Sequence, residues 1–268
     1  MREEFSNIWV HDDSRLEDLL NRKIVSREKL SHWPLSYVEK VTLSDNTRLV
    51  YKSQHAASSI ENHFYSMIKM SFLLSPLYYD TYKNCDIMVM PYLDYLTLGQ
   101  LSENGFEQII SDISLMIQDI PDMPVFFDLS SVEKLSSLID SACSIFKDED
   151  EKANIGLLKK WVSEQAHFCY DNQLIGNVHG DLTASNVLTD NGKPAYILDW
   201  QRPMKAPVTL ENALAYRLAG YDAVRKYGAF GILAAICHFV WYAFACKKFI
   251  PFVYGRAQKL LQEIISAI

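Results

Sequence analysis

The chain has 268 residues, 49% of them hydrophobic, and a formal charge of −7, enough apolar sequence for one large core or two modest ones and well outside the composition of disordered proteins. An acidic balance gives no footprint for nucleic acid, whose binders normally display a basic face, so no nucleic-acid partner is expected. The cysteines at 85, 143, 169, 237 and 246 form no CxxC pair and no regular framework, which suits buried thiols in a reducing compartment rather than a disulfide scaffold or a metal cluster.

In chain order, the opening stretch MREEFSNIWVHDDSRLEDLL lacks the basic start and apolar run of a signal peptide, and the expected location is cytoplasmic. Residues 35–53 predict two strands: Tyr37 to Leu43 is rich in β formers, Ser44-Asp45-Asn46-Thr47 has turn chemistry, and Arg48 to Lys52 resumes the strand pattern. Ser58 and Ser59 then precede Ile60, Glu61, Phe64, Tyr65, Met67 and Ile68, a capping-type start followed by apolar positions at helical spacing. Cys85 to Met90 is a short apolar run closed by Pro91, the pattern of a buried strand whose continuation the proline blocks. Pro91-Tyr92-Leu93 is the natural hinge.

From Leu98 onward the periodicity is mainly helical, as at Leu135, Leu138, Ile139 and Phe146. The acidic excess of the chain lies between Glu103 and Glu164 and includes Asp148, Glu149, Asp150 and Glu151; it reads either as solvated helix faces and ends or as a rim attracting a cationic substrate. Two β-like runs, Val187-Leu188 and Tyr196-Ile197-Leu198, flank the turn Asp190-Asn191-Gly192-Lys193-Pro194. Ala229 to Cys246 is apolar except for His238 and reaches the lower length limit of a membrane span. Its internal ionisable group and the lack of a second span favour a core helix, with Lys247 and Lys248 as a charge signal at its carboxyl end, and no membrane partner is expected. With no repeat and no low-complexity linker, the expected class is α+β: a small β-rich lobe over residues 1–93 and a larger helical lobe over 94–268.

The chemistry concentrates in Asn177 to Pro203, NVHGDLTASNVLTDNGKPAYILDWQRP. Asp181 sits in a loop, Asn186 just before the first short strand and Asp199 just after the second, so the hairpin folds a carboxylate and an amide toward one point. Phosphoryl transfer needs a group to orient the attacking hydroxyl and accept its proton, and hard oxygen ligands for the magnesium that bridges the phosphates. These three side chains supply both.

The string His179-Gly180-Asp181-Leu182-Thr183-Ala184-Ser185-Asn186-Val187-Leu188, followed by Ile197-Leu198-Asp199-Trp200, resembles the HGDxxxxN and IDW/IDF signatures of the aminoglycoside phosphotransferase-like and choline kinase-like small-molecule kinases. The resemblance implies a two-lobed, protein-kinase-like fold with its active site in the cleft between the lobes. It also implies transfer of the γ-phosphoryl group of ATP or GTP to a hydroxyl of a small molecule. On that pattern Asp181 is the catalytic base, Asn186 and Asp199 hold Mg2+, and His179 supports the loop. Lys52 and Glu61 match the strand lysine and helix glutamate that hold the nucleotide phosphates, and Met90 and Tyr92 become apolar walls around the adenine. Glu211, in Leu210-Glu211-Asn212-Ala213, is similar to an acidic residue that braces the catalytic loop, although helix-start charge preference explains it equally.

The pattern breaks at the nucleotide-covering loop, expected near Ser31-His32-Trp33-Pro34, because residues 24 to 47 contain no glycine. Asp199 is followed by Trp-Gln-Arg-Pro, with no DFG and no APE segment, which disfavours a protein substrate. Gln201, Arg202 and Lys205 could touch phosphate or acceptor, but loop polarity explains them as well, and His63, His167 and His238 lack partners at metal spacing. The acceptor classes left open are aminoglycoside-like, amino-sugar, choline-like and other hydroxyl metabolites, a polycation suiting the acidic middle segment. A catalytically silent nucleotide- or partner-binding module is the alternative, and a two-metal hydrolase lacks the further His or carboxylate cluster it would need.

Overall fold

The computed structural model describes residues 2–5, 8–98, 103–190 and 193–268; the expected Asn191-Gly192 turn lies outside them. The chain divides into two compact units, Met1–Leu96 with Leu188–Gln201, and Thr97–Val187 with Arg202–Ile268.

The first unit is built on a five-stranded antiparallel sheet in the order Ile24–Trp33, Ser36–Leu43, Arg48–His55, Cys85–Pro91, Tyr78–Tyr82. Its second and third strands are the expected hairpin, turned at Asn46, whose φ of 65° is left-handed and whose N–H donates to Leu43 O at 2.9 Å. Lys52 pairs with Val38 on one side and Met88 on the other, and Val50 with Lys40 and Met90. Directly opposed residues share a face, so these six side chains line one surface of the sheet. Tyr37, Val41, Leu49, Tyr51, Ile87 and Val89 line the reverse and pack with Ile8, Val10 and Leu16 of the helix Asp13–Leu20 to form the core of this unit.

Ile24–Trp33 is an edge strand that joins Ser36–Leu43 through Pro34 and Leu35 alone, with Trp33 opposite Ser36. A two-residue turn thus occupies the place expected for the nucleotide-covering loop, its φ preset by proline. Ser58 and Ser59 form the helix entry as expected: Ser58 Oγ donates to His55 O at 2.7 Å, and Ser59 Oγ accepts the Glu61 N–H at 3.0 Å, at the head of Glu61–Met67.

Leu188–Gln201, remote in sequence, belongs to the first unit. Ile197 N–H donates to Phe72 O at 2.9 Å, Ile60 N–H donates to Gln201 O at 3.0 Å, and buried Trp200 stacks on Phe64 at 4.4 Å between ring centroids.

The second unit is mainly helical, with the helices Glu103–Gln118, Val132–Cys143, Glu149–Gln165, Thr209–Leu218, Ala223–Tyr227, Ala229–Lys248 and Tyr254–Ile265. It also carries a small sheet in the order Ile175–Val178, Met204–Pro207, Phe127–Asp128, three strands that the apolar periodicity does not announce. Ala229–Lys248 is long and apolar enough to cross a membrane by length and composition, but in this fold it is a core helix. It packs against Val132–Cys143, Thr209–Leu218, Ala223–Tyr227 and Tyr254–Ile265, burying Leu233, Ile236, Phe239, Val240 and Ala243. The α+β class expected from sequence is the class the structure has.

Candidate active site

In the first unit, Lys52 is 6% exposed and Glu61 fully buried, and the ammonium lies 2.5 Å from Glu61 Oε2. It also donates to Asp199 Oδ1, and Gln201 Nε2 donates to that same oxygen at 2.6 Å. Burial works against the charge on Lys52, but the Asp199 and Glu61 carboxylates outweigh it and hold the ammonium above its ordinary value. The lysine is therefore a fixed cation, and Asp199, 28% exposed at its side chain, is the one of its two carboxylate partners that solvent reaches.

Asp199 reaches Lys52 because the chain turns sharply after Ile197. Its φ of 66° is left-handed, a region that Asp tolerates better than most residues, and Trp200 anchors the turn by donating its indole N–H to Ile197 O at 3.0 Å. Met88 and Met90 share the sheet face of Lys52 and are buried. Tyr92 follows the same strand, its N–H donating to Arg48 O at 3.0 Å, with Lys40 Nζ 5.4 Å and the Arg48 guanidinium 5.5 Å from its ring centre. A cation on an aromatic face is favourable.

In the second unit, the loop that carries Asp181 leaves the strand Ile175–Val178, which pairs antiparallel with Met204–Pro207. Buried Asn177 fixes that strand by donating from Nδ2 to Ile120 O at 2.8 Å and Ile117 O at 3.3 Å. Val178 opposes Met204, so the residues just after the first strand meet those just before the second. Gly180 is required at this crossing: its φ is 81°, and a Cβ would lie 2.7 Å from Arg202 O. Here Arg202 donates from Nη2 to Asp181 Oδ2. Asn186 Nδ2 donates to Asp181 O at 2.8 Å, and the Asp181 N–H donates to His179 Nδ1 at 3.3 Å.

Glu211, fully buried at the start of Thr209–Leu218, accepts the His179 N–H. Burial pushes its carboxyl up to about 7 against the pull of the His179 and Gly180 N–H groups, and the nearby Asp181 charge adds to the rise. The expected bracing of the loop is thus present as a hydrogen bond.

The structure brings Lys52, Glu61 and Asp199 together in the first unit and Asp181 and Asn186 together in the second, so Asn186 and Asp199 fall in different units. Taken singly, Asp199 offers a partly exposed carboxylate, and Asn186 an amide whose Nδ2 is already committed to Asp181 O, so the oxygen of each is of the hard type that suits a divalent cation. Among the described residues no group of three or more His, Cys, Asp or Glu could hold a metal by itself. Two contacts escaped the sequence. Arg202 reads there as loop polarity, although its position next to the strand that returns past HGD is a usable signal, and Val38, Val50 and Met88 become visible only once the strand register is known.

No protein-family model and no curated protein matches this chain. Solved structures do. The aminoglycoside phosphotransferase APH(4)-Ia, in a ternary complex with AMP-PNP and hygromycin B, superposes with a TM-score of 0.66 at 14% identity, covering 95% of this chain and 98% of that one. APH(2")-IIa, in a ternary complex with streptomycin and ATP, does so with a TM-score of 0.60 at 14% identity, covering 97% and 99%. The macrolide 2'-phosphotransferase MphH from Brachybacterium faecium gives 0.56 at 11% identity, covering 96% and 97%. The chain has the kinase-like fold of the aminoglycoside phosphotransferase-like small-molecule kinases.

Proposed function

We propose that this protein transfers the γ-phosphoryl group of ATP or GTP to a hydroxyl of a small molecule. The observation that carries the reading is the buried ammonium of Lys52 held between Glu61 and Asp199, residues far apart in the chain. A surface lysine kept for solubility is not held between two carboxylates; a lysine fixed in this way presents a constant positive charge to phosphate oxygens. The first unit then serves the nucleotide, with Met90 and Tyr92 beside the base, and the second supplies the base and the acceptor site.

Asp181 accepts the proton of the acceptor hydroxyl as the hydroxyl oxygen bonds to the γ-phosphorus and the bond from that phosphorus to the β–γ bridging oxygen breaks, releasing the nucleoside diphosphate, while the Asp181 backbone is held by Asn186 and its loop by Glu211. Arg202 keeps the carboxylate oriented. Asn186 and Asp199 are the residues that would hold Mg2+, which when bound neutralises charge on the transferring phosphates. The neighbours' complexes with AMP-PNP and ATP support a nucleotide co-substrate. The five cysteines, all free and buried, support a cytoplasmic location.

Asp181→Asn keeps the hydrogen-bonding shape but removes the base. Purified protein given nucleotide, magnesium and a panel of hydroxyl compounds is expected to phosphorylate at least one, with turnover falling about 100-fold or more in the variant. Undiminished turnover in Asp181→Asn would overturn the assignment of the base, and no transfer by the unaltered protein to any compound would favour the silent module.

A further inference from the structure

Four carboxylates of the acidic segment are held in ion pairs within the second unit. Glu107 pairs with Lys226 at 2.9 Å, Asp128 with Lys134 at 2.7 Å, Asp140 with Lys159 at 2.5 Å and Glu149 with Lys152 at 2.6 Å. The charge beside the catalytic loop is of the other sign.

Arg202, while bound to Asp181, lays its guanidinium 3.9 Å from the centre of the Trp241 ring. One turn earlier on the same core helix, the His238 ring lies 5.2 Å from Tyr242, and Arg256 of the last helix stands 5.8 Å from the Tyr242 ring centre. Arg217 gives Nη2 to Glu263 at 2.8 Å. Burial and the positive charges of Arg217, Arg256 and Arg202 together lower His238 to about 3, so its imidazole is neutral.

Three polar atoms of this cluster are buried and, among the described residues, without a hydrogen-bond partner: Arg202 Nε, Arg217 Nε and His238 Nδ1. Arg256 is exposed and pairs with no described carboxylate. A buried guanidinium N–H without an acceptor is desolvated for no return, and among the described residues these three arginines form ion pairs with no carboxylates except those of Asp181 and Glu263. An oxyacid anion fits the deficit. It accepts from several guanidinium donors at once, and the indole and phenol rings offer apolar surface to the carbon skeleton carrying it.

We propose that Arg202, Arg217, Arg256 and His238 bind a carboxylate or phosphate group of the acceptor, so that the substrate is a small hydroxyl compound bearing a negative charge. The binding site rests on these contacts; its identification as the acceptor site rests on the phosphotransferase reading above.

The test is calorimetric titration of the full chain, without nucleotide, with glycerate, glycerol 3-phosphate, glycerol and the dicationic 2-deoxystreptamine. At least one of the two anions is expected to bind about tenfold or more tightly than glycerol, their ratio separating carboxylate from phosphate recognition, and Arg256→Gln weakens that binding about tenfold with an unchanged circular dichroism spectrum. The proposal fails if neither anion binds, if glycerol or 2-deoxystreptamine binds as tightly as the anions, or if Arg256→Gln and Arg217→Gln both leave anion binding unchanged. None of these outcomes depends on turnover, so they stand apart from the fate of Asp181→Asn.

Discussion

Lys52 shares one ammonium between two carboxylates, and this decides what its loss does. Lys52→Met leaves Glu61 fully buried with no counter-charge, and breaking a buried pair from one side costs about 3 kcal/mol. The double variant Lys52→Met/Glu61→Leu removes the orphaned charge as well. Urea denaturation is expected to show the single variant destabilised by that amount and the double variant largely restored, while nucleotide-dependent thermal stabilisation is absent from both. Glu211 gives the pH signature. Its folded pKa of about 7 lies above the ordinary 4.5, so its contribution is fully present below about pH 4.5 and is lost as pH rises through 7, about 3 kcal/mol in all. Denaturation at pH 5 and pH 8 should show that loss in the unaltered protein and a flatter profile in Glu211→Gln. Lys52, Glu61, Asp181, Asn186 and Asp199 are legible in sequence because each matches a motif position. Arg202 is not, since its bond to Asp181 depends on how two strands return past each other, and linear spacing does not carry that.

Elements with a strong local signal are the legible ones. The hairpin Ser36–Leu43 and Arg48–His55 and the strand Cys85–Pro91 alternate or run apolar between turn residues, and the core helix is continuous hydrophobic sequence. Ile24–Trp33 escapes because an edge strand with exposed charges has no alternation to read, and Phe127–Asp128 because two residues have no period. Tertiary packing also reverses a propensity argument at Gly231. Alanine there gains about 1 kcal/mol of helix propensity, but its Cβ would lie 2.2 Å from Ala223 O and 2.6 Å from Val224 Cα. Backbone cannot yield as a side-chain tip can, and overpacking of this kind costs about 2 kcal/mol or more. Gly231→Ala is therefore expected to lower the melting temperature, and a rise would show that the two helices can separate without penalty.

For the whole molecule, the α+β class and the kinase-like fold follow from a motif and an ordering of elements, whereas the division into units follows from contacts made by a segment remote in sequence. Residues 1–96 without Leu188–Gln201 lose Trp200 from Phe64 and Ile197 from Phe72, exposing aromatic surface that the sheet alone does not cover. A fragment of residues 1–96 is expected to show no cooperative thermal transition by circular dichroism, and a cooperative one would mean that the sheet and its reverse-face core are self-sufficient.

The left-handed backbone at Asp199 also governs how its role can be dissected. Alanine there would remove a charge and strain the chain at one stroke, so a dead Asp199→Ala protein would confuse chemistry with geometry. Asparagine, which shares the tolerance for that conformation, removes only the charge. Drift at this position is confined in the same way: the turn admits very few residue types, and the proposed metal-holding role would narrow them to one.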